Sequence, residues 1–367
     1  MLKAIPFGEI DLRALANHTG PERAFLSVYL SGPDARNTLD HRIRKVRALL
    51  QDDPVELEYF EENLKMVSAF LEEHSFESTA LCLFVCWAEE YLEAYPLEKT
   101  VPDLLWVDSS PYIRPLAELQ DEYENFVVVA VDNSDAYVYF VTSAVPDDEE
   151  RVKGDVKNHV KVGGWSQKRY QRRREKELHH YAKEIAEVLG ELHKQSDFDR
   201  IFLLGTEETI VELKEVLPPP IAEKVAGTAP VDLNDEDALW NRAFGLFTDQ
   251  ERADEENLWE LIKGEYLREG RAATGVDEVL KAAAVGRVEH MIVTRDAKVP
   301  GIRCRACENL SAGALESCPV CGSKDVFTED LINELVELLE TSGGATEFSD
   351  PLPGLTEAGD VAALLRY

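Results

Sequence analysis

The sequence predicts a multidomain α/β protein of three domains, and three observations carry that reading. A chain of 367 residues is too long for one ordinary core and suits two or three. Short apolar runs alternate with stretches of helical periodicity: FVVVAV from Phe126, RIFLLG from Arg200, EETIVELKEVL from Glu207 and KVAGTAPVDL from Lys224. That strand–helix alternation implies a mostly parallel sheet covered by helices. Two Cys-x-x-Cys pairs late in the chain mark a small insert with the spacing of a metal site.

Taken in order, FLSVYLSG from Phe25 alternates like a strand, and Asp40–Leu50 and Leu57–Leu71 carry apolar residues at helical spacing. Ala80–Ala88 reads as a buried strand in which Cys82 and Cys86 serve as small hydrophobes. The first domain, an α/β unit, ends near Glu122. A strand pair turned at Asp132-Asn133-Ser134 opens the central domain, residues 123–236. A helix beginning near Lys168 follows, its apolar face made by Leu178, Tyr181, Ile185, Val188 and Leu189. Pro218-Pro219-Pro220 stops the next helix, and the acidic turn Asn234-Asp235-Glu236-Asp237 closes the domain. The third domain, 237–367, combines a long helical region to Arg268, the helix VDEVLKAAAVGRV ended by Gly286, the strand HMIVT, the cysteine insert at about 302–325 and the helix DLINELVELLE. Its tail, DVAALLRY, fits either a short strand or a helical piece.

With 71 acids against 39 bases and a formal charge of −32, the chain cannot coat nucleic acid over its whole surface, and any such contact must be local. The acidic excess reads first as solubility. ALCLFVCWA and FVVVAV, the longest apolar runs, fall short of the ~18 residues that cross a bilayer. The amino terminus lacks the apolar core and cleavage site of a signal peptide. No membrane partner and a cytoplasmic location are expected, and cysteines at metal spacing agree with a reducing compartment.

Against this acidity, Arg151–Lys176 holds ten Lys/Arg and two acids, which leaves about −40 for everything else. Such an island serves a polyanion or an acidic partner within the chain. At its centre Gly163 and Gly164 lack the β-carbons that would keep a nucleotide away, so a flexible loop presented to RNA is expected. Arg169, Arg172, Arg173 and Arg174 crowd the first turns of the following helix, where positive charge opposes the macrodipole. Phosphate binding by these residues and Lys168 explains that placement, since arginine pairs bidentately with phosphate oxygens. Trp165 either stacks on a base or packs internally. Gln167 carries an amide that donates and accepts hydrogen bonds but exchanges no proton near neutrality, and spacing alone leaves it a solvated residue of a basic loop. His159, His179 and His180 show no metal spacing.

Cys304-x-x-Cys307 and Cys318-x-x-Cys321, ten residues apart, place four thiolates where tetrahedral zinc needs them. Four cysteine ligands leave no open position for water, so the zinc expected is structural.

In order along the chain, FVVVAVDNSDAYVYFV, GGWSQKRYQRRREKELHHYAKEIAEVL, TGVDEVLKAAAVGRVE, the four-cysteine insert and DVAALLRY resemble the archaeal and eukaryotic class-1 peptide release factor family across nearly the whole length. The resemblance implies three domains: a codon-reading domain, a central domain whose Gly-Gly-Gln loop enters the peptidyl-transferase centre and helps water attack the peptide–tRNA ester, and a domain that binds a translational GTPase. Two departures shape what carries over. The loop reads Gly163-Gly164-Trp165-Ser166-Gln167, its glutamine two residues late, and is similar to the Gly-x-x-Gln loop of release-factor-like peptidyl-tRNA hydrolases that rescue stalled ribosomes. The first domain holds no Asn-Ile-Lys-Ser tetrapeptide, which counts against stop-codon reading. The resemblance therefore implies a peptidyl-tRNA hydrolase of ribosome rescue. Gly163, Gly164 and Gln167 would be catalytic, the basic cluster and Trp165 would meet tRNA or ribosomal RNA, and the ribosome would be the partner. The alternatives are a non-catalytic Pelota-like adaptor and a stop-codon-dependent release factor.

Overall fold

The computed structural model describes residues 5–32, 35–74, 78–142, 145–153, 165–196 and 198–367, with the backbone alone for 35–38, 145–153 and 165–173. It divides into two compact units, one of residues 1–122 with 255–367 and one of residues 123–254.

In the first unit the N-terminal part holds α1 (Leu12–Ala16), β1 (Phe25–Ser31), α2 (Ala35–Leu49), α3 (Pro54–Glu73), β2 (Ala80–Cys86), β3 (Tyr91–Leu97), β4 (Leu104–Asp108) and α4 (Arg114–Glu122). Its sheet is antiparallel in the order β3-β2-β1-β4. Leu26, Val28 and Leu30 alternate into a core shared with Phe60 and Val67 of α3. Cys82 and Cys86 are fully buried, as small hydrophobes are.

The central unit contains β5 (Phe126–Val131), β6 (Asp135–Thr142), β7 (Val145–Lys153), α5 (Trp165–Gln195), β8 (Arg200–Gly205), α6 (Glu207–Val216), α7 (Pro219–Ala222), β9 (Val225–Pro230) and the beginning of α8 (Glu236–Tyr266). The sheet order is β7-β6-β5-β8-β9, with β5, β8 and β9 parallel and the β5–β6–β7 meander antiparallel. FVVVAV is apolar throughout because both faces of β5 are covered. Val127, Val129 and Val131 meet Leu178, Tyr181, Ile185 and Leu189 of α5, while Phe126, Val128 and Ala130 meet Leu239, Ala243 and Phe247 of α8. Where β8 ends beside Val131, Gly205 has φ +131°, and a Cβ there would lie 1.9 Å from the Val131 carbonyl oxygen. Gly205→Ala is expected to destabilise the central unit by about 1–3 kcal/mol, the range for a residue forced into such backbone. Urea unfolding of the two proteins side by side checks this, and equal midpoints would refute it.

The C-terminal part adds β10 (Ala272–Thr274), α9 (Val276–Ala283), β11 (Val288–Thr294), β12 (Pro300–Cys304), β13 (Leu310–Ala312), β14 (Val326–Asp330), α10 (Leu331–Ser342), β15 (Ala345–Ser349), α11 (Pro353–Glu357) and β16 (Val361–Leu365). One sheet runs β10-β16-β11-β15 and a second, antiparallel, runs β13-β12-β14. The tail is thus a strand, placed between β10 and β11.

Two boundaries differ from the sequence expectation. Helix α8 starts at the expected junction near 236, but the division falls within it, between Asp254 and Glu255. The reason is its apolar content: Leu239, Ala243 and Phe247 complete the central core, whereas Trp259 and Ile262 pack with Ile292 and Leu355. The N- and C-terminal parts, expected as separate domains, form one unit through a polar seam. Asn333 Oδ1 on α10 accepts the Ile113 and Arg114 backbone N–H groups at 2.9 and 3.1 Å, capping α4. Arg114 donates to Glu118, to the Arg295 and Ala297 carbonyls and to Asp330, to which Tyr112 also donates at 2.7 Å.

Candidate functional site

Helix α5 begins at Trp165, three residues before the expected start at Lys168, so Gln167 lies in its first turn rather than in a loop. Nothing after Gly164 opposes that extension, since Trp, Ser, Gln, Lys and Arg all tolerate helix. Gly163 and Gly164 fall outside the described residues. Lys168 and Arg172 share one face of the helix, as do Arg169 and Arg173, each pair being four residues apart. The first turn contains no acid, leaving the positive end of the macrodipole uncompensated within it.

From Arg174 onward the helix is fastened to its own unit. Arg174 gives two hydrogen bonds of 2.5 Å to the Glu208 carboxylate on α6, and its side chain is only 15% exposed. Sequence groups Arg174 with the phosphate-facing residues, but here an acid of its own chain holds it. His179 Nδ1 lies 2.6 Å from Glu212 one turn further along α6, and Leu178, Tyr181, Ala182 and Ile185 are buried against the sheet. Trp165 to Arg173, the stretch that precedes Arg174, contains the glutamine with four of the five clustered basic residues.

Sequence reasoning passed over a second basic run, Arg42, Arg44, Lys45 and Arg47 on α2, which the letters HRIRKVR display plainly. Arg47 is paired with Glu61 on α3, while Arg44 and Lys45 are exposed.

The four insert cysteines converge among the strands β12, β13 and β14. Cys304 Sγ is 3.5 Å from Cys321 Sγ, Cys307 Sγ is 3.6 Å from Cys318 Sγ, and all four sulfurs lie within 4.8 Å of one another. A tetrahedron with Zn–S bonds of about 2.3 Å has edges of about 3.8 Å, so these thiols fit the ion. Both knuckles close through a backbone bond to the first cysteine: Glu308 N–H to Cys304 O at 2.7 Å and Gly322 N–H to Cys318 O at 2.9 Å. The backbone N–H groups of Cys321 and Val320 stabilise the Cys318 thiolate and draw that thiol down to about 7. At Cys307 the Asn309 N–H works in the same direction, but the neighbouring thiols, Cys321 foremost, prevail and push it up to about 12. Between the first two ligands, Arg305 pairs with Glu22 and the fully buried Glu56, with its guanidinium 4.9 Å from the centre of the Phe327 ring.

Residues 111–243 match the family model described as bacterial archaeo-eukaryotic release factor family 10. Peptide chain release factor subunit 1 of Archaeoglobus fulgidus is 27% identical over 283 residues, covering 71% of this chain and 70% of that protein. Its counterpart in Thermococcus kodakarensis is 25% identical over 292 residues, again 71% and 70%. Among solved structures, Saccharomyces cerevisiae Dom34 is 12% identical with a TM-score of 0.43, covering 78% of this chain and 80% of that one. The chain is similar to the archaeo-eukaryotic release factors, and its residues 111–243 carry the family match. It is a release-factor-like translation factor, and the matched segment includes the whole of α5 and the GGWSQ sequence before and within it. Among the described residues no helix is long and apolar enough to cross a membrane.

Proposed function

We propose that this protein is a cytoplasmic peptidyl-tRNA hydrolase of ribosome rescue, releasing nascent peptide from tRNA on stalled ribosomes. The observation that supports it most is Gln167 in the first turn of α5, two residues beyond the position directly after Gly163-Gly164 and within a segment that matches the family. In the reaction a water oxygen bonds to the ester carbonyl carbon, the bond from that carbon to the tRNA ribose oxygen breaks, and the ribose oxygen takes a proton from the water. Gln167 has no titratable proton, so its part is positional and electrostatic: its amide orients the water or donates to the developing oxyanion. Gly163 and Gly164 let backbone approach the terminal nucleotide, and Trp165 offers a stacking surface. Lys168, Arg169, Arg172 and Arg173 grip phosphates of peptidyl-tRNA or ribosomal RNA. Zinc on Cys304, Cys307, Cys318 and Cys321 would act as a structural crosslink, and a translational GTPase is a further expected partner.

The other reading is a Pelota-like adaptor that binds ribosomes without hydrolysis, against which the retention of Gly163-Gly164 with Gln167 counts. Single-turnover peptide release from purified stalled complexes, with and without a stop codon in the A site, separates the readings. Rescue releases peptide in both, a stop-codon factor only with the codon, and an adaptor in neither.

The arginines divide into two kinds with different expected phenotypes. Arg172→Ala with Arg173→Ala flattens the slope of log affinity against log salt for ribosome binding, each lost phosphate contact removing up to about 0.7–0.9. Arg174→Ala leaves the slope in place and costs at most about 1 kcal/mol of stability, because Glu208 is half exposed. Affinity at several salt concentrations with a melting curve for each variant checks both, and a slope indifferent to Arg172 and Arg173 would remove them from the interface.

A further inference from the structure

Away from α5 and the cysteines, three carboxylates from distant parts of the chain converge inside the first unit: Asp108 at the end of β4, Glu329 on β14 and Glu334 on α10. Their exposures are 4%, 2% and 4%, and one oxygen from each lies within 4.8 Å of the others. Arg303 serves both glutamates, its Nε 3.2 Å from Glu329 Oε1 and its Nη2 on Glu334 Oε2. Asp108 accepts from Trp106 Nε1 at 2.9 Å and from the Ser109 N–H at 2.6 Å. Among the described residues no donor reaches Glu329 Oε2 or Glu334 Oε1, although both atoms are buried. A buried carboxylate oxygen without a donor is costly, and three carboxylates against one guanidinium leave two negative charges uncompensated. Glu337 beside them accepts from Ser110 and Asn333, neither of which brings a positive charge.

We propose that Asp108, Glu329 and Glu334 form a binding site for one hard divalent cation of the Ca²⁺ class. Such an ion supplies the two missing positive charges and takes carboxylate oxygens as ligands. Calcium–oxygen bonds of about 2.3–2.6 Å span about 4.6–5.2 Å across the shell, which accommodates the present separation; the tighter octahedron of Mg²⁺, about 4.2 Å across, requires the carboxylates to close in wherever they stand at that limit. Protons are the competing answer, because burial and then the Asp108 charge push the Glu329 carboxyl up to about 11. One proton shared by Asp108 and Glu329 still leaves Glu334 Oε1 bare, and a second on Glu334 weakens its pairing with Arg303. A cation meets both orphaned oxygens while both ion pairs stay. Access exists from two sides: Glu334 and Arg303 line a cleft of about 830 Å³, and Glu329 and Trp106 line another of about 480 Å³. The site joins the N-terminal sheet to the C-terminal part, so occupancy reinforces the seam between them. It is independent of the hydrolase reading.

The full-length protein, stripped with a calcium-selective chelator, is titrated with CaCl2 in a calorimeter and with TbCl3 while emission is excited through tryptophan. One calcium binds and raises the melting temperature, and Tb³⁺ emission is sensitised through Trp106 beside Asp108. Glu329→Gln and Glu334→Gln each weaken calcium binding at least tenfold. Trp106→Phe abolishes the sensitised emission while calcium still binds, which keeps the test valid should a glutamine variant fold poorly. Calcium heat unchanged in both glutamine variants, or emission indifferent to Trp106, overturns the proposal. So does a protein that binds neither ion but melts with a steep dependence on pH, the result protons alone would give.

Discussion

Gln167→Ala lowers single-turnover release of peptide from stalled complexes by about 10- to 1000-fold, the range for loss of one oxyanion donor or positioning group. Ribosome affinity and its salt dependence stay unchanged, because the phosphate contacts belong to the basic residues that follow. Folding is also preserved. Among the described side chains the core that holds α5 begins at Leu178, three turns beyond Gln167, and the crosslink to α6 at Arg174 stands clear of the substitution. Gln167→Glu separates two roles: a carboxylate still orients water but presents negative charge to a developing oxyanion. Activity kept by the glutamate variant and lost by the alanine variant indicates water positioning, whereas loss in both indicates oxyanion stabilisation. Release at the wild-type rate by Gln167→Ala would remove this residue from the chemistry and leave the adaptor reading.

What was legible in the chain was local. The apolar face of α5, the fully apolar β5 and the Cys-x-x-Cys pairs each show themselves in neighbouring letters, and the structure places all three as their spacing implies. The start of α5 was not legible, because no capping residue marks it and Trp165 follows directly on glycine. Nor could five residues of DVAALLRY declare themselves a strand: the backbones of β10 and β11 on either side decide that. Among three successive arginines, only the position of α6 tells which one meets Glu208. The seam that unites residues 1–122 with 255–367 rests on Arg114, Asn333 and Asp330, more than two hundred positions apart, and such polar pairs leave no periodicity to read. Asp108, Glu329 and Glu334 escape notice for the same reason.

Freshly purified, reduced protein carries one equivalent of zinc, and Cys304→Ser with Cys307→Ser removes it. Four thiolates whose nearest pairs stand 3.5 and 3.6 Å apart repel one another once ionised, and a cation is what makes that proximity favourable. Without it the knuckles open, and the effect spreads by a defined route. Arg305 lies between the first two ligands and holds Glu22 and Glu56 of the N-terminal part, so releasing the first knuckle strips the buried Glu56 of one of its two arginines, leaving Arg23. Because Arg23 stays on Glu56, the loss is smaller than about 3–5 kcal/mol, the cost of leaving a buried charge with no partner. Amide exchange should therefore quicken in β12–β14 and, more weakly, at the start of α3 where Glu56 sits. The central unit keeps its own cores on both faces of its sheet, and protection in β5 and β8 should not change. Metal analysis and exchange measured on the same preparations test both halves. Protein without zinc would dismiss the metal, whereas zinc present with exchange altered only inside the insert would dismiss the route through Arg305.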